Sequence, residues 1–178
     1  MLDPADFGIV ELGDPRLRQP ARPVAAADLG QVLEYARVLQ WWMDQRGGVG
    51  IAAPQIGVSL QILIIASRPN PRYPDAPLMS PTLLINPEPL AYGGHQVALW
   101  EGCLSVPGMR GRVTRPDSVA LRYLDTAGAP QELTLEGFPA RIFLHEYDHL
   151  QGLTFVDRVQ SVRDLVTEKV YREQIAGD

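Results

Sequence analysis

One cysteine in 178 residues leaves no intrachain disulfide, and a lone thiol suits a reducing compartment. No apolar run approaches the ~20 residues that a membrane-spanning helix needs. Positive charge is also short. Sixteen Lys and Arg against 21 Asp and Glu leave a net charge of −5, which speaks against a nucleic-acid surface built on bulk charge. The start of the chain carries Asp3 and Asp6 and no basic, apolar leader, so no export signal is expected. These absences point to the cytoplasm, with an organelle form that has lost a transit peptide left open. Internal repeats and low-complexity tracts are missing as well.

What is present suffices for one domain over residues 1–178, since 46% of the residues are apolar. Asp14 to Pro20 reads as extended. From Asp28, a plausible N-cap, Val32, Ala36, Leu39 and Met43 fall on one helical stripe that Gly47-Gly48 stops. Trp41-Trp42 reads as packing of that helix. Leu60 to Ala66 is an apolar run of the buried-strand type. Arg68 to Pro81 holds five prolines and reads as an irregular loop. Short strands are expected at Leu83–Asn86, Gln96–Trp100, Arg110–Arg115, Ser118–Asp125 and Glu132–Leu135, with a hairpin turn over 125–130. A second helix is expected from Pro139 to Gly152, and a peripheral third from Val162 to about Ile175. Helix, then strands, then helices gives an α+β class: small, mostly antiparallel sheets packed around a central helix, with an N-terminal and a C-terminal helix.

That central helix carries His145-Glu146-Tyr147-Asp148-His149. Imidazoles four residues apart lie one turn from each other on one helix face and can share a metal ion. Glu146 sits where a carboxylate could take a proton from water polarised by that ion. A hydrolytic site normally has three protein ligands and one open position, so the third ligand decides the chemistry. In the pattern H-E-x-x-H-x-x-G-x-x-H, Gly152 fits but Phe155 stands at the last position and cannot ligate. Glu168 is a candidate of the His₂Glu kind, which would make a zinc peptidase. The only thiol, Cys103 in Glu101-Gly102-Cys103-Leu104-Ser105, is the other, against its ordinary role as a small buried hydrophobe. Asp148 could orient a ligand or a nearby arginine, or simply be a solvated helix carboxylate. Glu101 pairs with Arg115 or Arg110. His95, after two glycines, reads as a turn residue or the start of a strand, and not as a ligand.

Three segments in register resemble the peptide deformylase family: Gly48-Val49-Gly50-Ile51-Ala52-Ala53-Pro54-Gln55, Glu101-Gly102-Cys103-Leu104-Ser105 and His145-Glu146-Tyr147-Asp148-His149. Asp14 to Arg18 resembles the family's opening segment. The resemblance implies a metal-dependent hydrolase that removes the N-formyl group from formyl-methionyl nascent peptides and releases formate. It implies Cys103, His145 and His149 as metal ligands and Glu146 as general base and then general acid. Gln55 and the Leu104 backbone N–H would hold the oxyanion. The substrate methionine would meet Val49, Gly50, Leu99, Phe138 and Ile142, with Arg110 reaching the peptide beyond it. One divalent ion is implied, ferrous iron first, with zinc, nickel or cobalt as substitutes. Partners would be nascent chains, with at most a transient ribosome contact. The segment after Val162 is not basic and adds no sign of RNA binding. A monomer is expected, with no membrane partner. The rival from another class is a non-catalytic metal- or peptide-binding module on the same fold.

Overall fold

The computed structural model describes residues 1–69 and 73–176. Three of the residues expected in the proline-rich loop, 70–72, and the last two of the chain lie outside the described residues. Six strands form one antiparallel sheet: β1 Gly50–Ala52, β2 Ile62–Ser67, β3 Met79–Cys103, β4 Val106–Leu124, β5 Pro130–Glu136 and β6 Leu165–Thr167. Its order is β1-β2-β3-β4-β5, and β6 adds to the far part of β4. Helix α1 spans Leu29–Gln45, and α2 spans Gly137–Leu150.

Alternation along β2 builds the two halves of the core. All six of its residues are buried. Leu63 and Ile65 face α2, in a cluster with Leu84, Val119, Leu121, Ile142 and Phe143. Ile62, Ile64 and Ala66 face the other way, against Val32, Val38, Leu39 and Met43 of α1. A strand covered on both sides must be apolar throughout, which is why it reads as an uninterrupted run. Helix α2 is buried on nearly every face, as its run of ten buried residues out of fourteen requires.

Several boundaries differ from the sequence reading. The strands expected at 83–86 and 96–100 are parts of one strand, β3, and those at 110–115 and 118–125 are parts of β4. Pro87 and Pro89 remove ladder donors, and Gly94 takes φ +71°, so β3 continues through bulges where the sequence reads as broken. β1 is too short to show periodicity. Helix α2 starts two residues before Pro139, directly from β5. The stripe of α1 runs through Val38, with Ala36 only half-buried. Residues 162–175 are not one helix. Val162, 80% exposed, opens a single 3-10 turn over Val162–Asp164, 165–167 then pair with Met109–Gly111 of β4, and helical turns resume only at Glu168. There the alternation of β6 competes with a weak helical stripe and wins by pairing with an open length of β4.

Candidate active site

Cys103 closes β3 and turns into β4, while His145 and His149 stand one turn apart on α2. The contacts of α2 with β1, β2 and β4 bring these distant parts of the chain together. One donor atom from each of Cys103, His145 and His149 lies within 4.8 Å of the others. Cys103 Sγ is 3.3 Å from His149 Nε2. A thiolate and two imidazoles so arranged form a donor set suited to iron, zinc, cobalt or nickel. Glu168 belongs to no such cluster among the described residues.

A carboxylate fixes the first imidazole. His145 Nδ1 donates to Glu101 Oε2 at 2.9 Å, which turns Nε2 toward Cys103. Glu101 in turn accepts from Arg115 Nε at 2.7 Å and Nη2 at 3.0 Å, and from Arg141 at 2.7 Å. Burial works against the charge of Glu101. The His145 hydrogen bond and the Arg115 charge outweigh it, and its carboxyl lies well below the usual range. Asp148, 3% exposed, is neither solvated nor bonded to a histidine; it holds Arg115 at 2.9 Å and Arg158 at 2.6 Å. The partner of Glu101 is therefore Arg115, supplemented by Arg141, and not Arg110. His149 Nδ1 is buried without a partner among the described residues.

Glu146 borders the same cleft. Its Oε2 is buried and has no partner among the described residues. Burial pushes its carboxyl up to about 7, against the opposing charge of His145. Gly50 makes this placement possible: a Cβ there would sit 2.6 Å from Glu146 Oε1 and 2.8 Å from Ile142 Cγ2. Gln55, 1% exposed, is oriented by the Ala52 N–H, which donates to its Oε1 at 2.8 Å. Its Nε2 then faces Ser105 Oγ at 3.3 Å and Cys103 Sγ at 3.5 Å.

Val49, Gly50, Gln55, Cys103, Leu104, Phe138, Ile142, His145 and Glu146, all named from the sequence, line one cleft. Three expected site residues do not: His149, fully buried, lies beneath the surface of the cleft, and Leu99 and Arg110 also fall outside its lining. Leu99 is 47% exposed and outside the cleft, because Trp100 takes the wall position. Arg110 is 1% exposed and committed to Glu168 at 2.6 Å and Tyr73 at 3.2 Å, so it stands behind the cleft wall and not in it. His95 is exposed within β3, and its N–H bonds Asp117. The sequence reading missed Tyr73, Trp100 and Arg141, which also border the cleft. Arg141 had a legible signal: an arginine inside the apolar run Ala140–Leu144 must find buried partners, and it does so in Glu101, Val113 O and Val97 O.

The polypeptide deformylase family model matches residues 7–164. The chain belongs to the polypeptide deformylase family. Deformylases remove the N-formyl group from nascent polypeptides and are metal-dependent, and the Cys/His/His cluster described above is present in this one. A peptide deformylase of a Nostoc species is 44% identical over 98% of this chain and 97% of its own length. One from Nitrosomonas europaea is 40% identical over 96% of this chain and 97% of its own. Among solved structures, the class I type b deformylase of Acinetobacter baumannii with bound Met-Ala-Ser superposes with a TM-score of 0.84 at 44% identity, covering 86% of this chain and 98% of that one. The α+β fold of the deformylases, with its antiparallel sheet and central helix, is the fold described here. No helix among the described residues is long and apolar enough to cross a membrane.

Proposed function

We propose that Cys103, His145 and His149 hold one divalent ion, ferrous iron in the native protein with zinc, nickel or cobalt as substitutes, and that Glu146 moves the protons of formyl hydrolysis. The observation that carries this reading is the convergence of those three donors, with Cys103 and His145 lining the cleft, beside Glu146, whose buried Oε2 has no partner among the described residues. When bound, the ion supplies Lewis-acid polarisation and lowers the pKa of water toward ~7. Glu146 accepts the proton of the attacking water and passes it to the departing amine as the formyl C–N bond breaks, leaving formate and a free amine. A buried carboxyl with no hydrogen-bond partner of its own among the described residues is free to do both. Gln55 Nε2 and the Leu104 backbone N–H donate to the oxygen that gathers charge, each such donor being worth roughly 3 kcal/mol.

The methionine side chain rests among Val49, Gly50, Phe138 and Ile142, with Tyr73 and Trp100 as further walls. The Met-Ala-Ser bound to the Acinetobacter neighbour has the form of a deformylated product, which supports a formyl-methionyl substrate here. In this reading the enzyme acts on nascent chains in the cytoplasm, as a monomer that touches the ribosome transiently.

The test is formate release from formyl-Met-Ala-Ser, with bound metal measured in the same sample. The parent releases formate. Glu146→Gln keeps its metal and loses roughly 10²- to 10⁴-fold in turnover. Release at the parent rate by that variant would remove Glu146 from the mechanism.

A further inference from the structure

The family model ends at residue 164, and the chain does not. Beyond it, β6 pairs with Met109–Gly111, and two short helical elements follow over Glu168–Val170 and Tyr171–Ile175. This segment delivers two side chains to the back of the cleft wall. Glu168 takes Arg110 at 2.6 Å through Nε and 3.2 Å through Nη2, and is itself held by Arg172 at 3.0 Å. The Tyr171 ring lies 4.8 Å from the Arg110 guanidinium carbon and 5.9 Å from the Trp100 ring.

Arg110 is thereby sandwiched. On its other side the guanidinium lies 5.8 Å from the Tyr73 ring, and Tyr73 packs on Phe138 at 4.7 Å. The result is a continuous row: Phe138, Tyr73, Arg110, Tyr171, Trp100. Three of its members line the cleft, and the two that do not, Arg110 and Tyr171, join the others. The Arg110 guanidinium would also lie 3.0 Å from a Cβ on Gly102, next to Cys103. A buried cation between aromatic faces and a carboxylate is an ordered contact, worth more than a surface ion pair.

We propose that the C-terminal segment backs one wall of the substrate cleft, with Tyr171 as a positioning residue that holds Trp100 directly, and Tyr73 through Arg110, where the first side chain of the peptide packs. The proposal rests on the reading that this cleft receives a formyl-methionyl end. Tyr171 does not touch the reacting atoms. It acts on binding through Trp100, and it leaves the metal-binding cluster and Glu146 alone.

The experiment is steady-state kinetics on formyl-Met-Ala-Ser for the full-length, metal-loaded parent, Tyr171→Ala, Tyr171→Phe and Lys169→Ala. Tyr171→Ala raises KM about fivefold, the cost of one ring contact and one cation–π contact, with kcat and metal content within about twofold of the parent. Tyr171→Phe keeps the ring and restores the parent KM. Lys169→Ala, on the exposed side of the segment, changes nothing. Tyr171→Leu keeps an apolar side chain for folding and drops the ring, so it carries the test if Tyr171→Ala does not fold. A parent KM in the ring-less variant overturns the proposal, and so does an equal fall in kcat with loss of metal. A parent that releases no formate would instead overturn the functional reading.

Discussion

Glu101 shows how much of this site depends on residues that never touch substrate. It orients His145, and it is the meeting point of Arg115 and Arg141. Its folded-state pKa lies well below the ordinary 4.5. A depressed carboxyl contributes stability that is fully present above its unfolded value and is lost as pH falls toward the folded one. The melting temperature of the parent should therefore drop below about pH 4.5, as protonation uncouples the network. Glu101→Gln should lower the melting temperature at neutral pH, because it leaves two buried arginines short of a counter-charge, and should flatten the acid limb. An acid limb as steep as the parent's in that variant would show that other carboxylates control it. Asp148 is the second such residue. Its identity as an acid was plain from sequence, but a choice between solvent and arginine needed the approach of β4 to α2.

At the scale of elements, the contact of β1 with α2 sets the chemistry. β1 passes so close to the helix that only a hydrogen fits at residue 50. Gly50→Ala should push Glu146 and Ile142 apart, lowering kcat/KM by 10-fold or more, on the order of a 1 Å misplacement, while far-ultraviolet circular dichroism stays unchanged. Unchanged kinetics would mean that the two elements can separate at no cost. The same scale explains what was and was not legible. The His-Glu-x-x-His spacing, most of the α1 stripe and the β2 run are local patterns, and they appear in the fold. β3 and β4 were read as fragments, because prolines 87 and 89 and the Gly93-Gly94 pair look like breaks when the partner strand is out of view. Leu99 and Trp100 are neighbours on one strand, and a strand sends neighbours to opposite faces. An offset of one residue therefore exchanged the cleft wall for solvent.

For the molecule as a whole, the sheet is a device that brings residue 103 to residues 145 and 149. Its class and the order of its layers followed from hydrophobic pattern alone. The third donor did not follow from residue types, which left Cys103 and Glu168 both open; the resemblance of three segments to the deformylases pointed to Cys103. Glu168 is occupied by Arg110 and Arg172 on the C-terminal side of the sheet. Cys103 stands beside the two imidazoles. Under the proposed reading, a cation shared by a strand end and a helix would tie the fold together, so removing it with a chelator should lower the melting temperature of the parent. The most direct test is metal content per chain in the parent, Cys103→Ser and Glu168→Gln, each purified and dialysed identically. One ion per chain in the parent and in Glu168→Gln, with most of it lost from Cys103→Ser, is the predicted result. A full complement of metal in Cys103→Ser, with its loss from Glu168→Gln, would contradict the account.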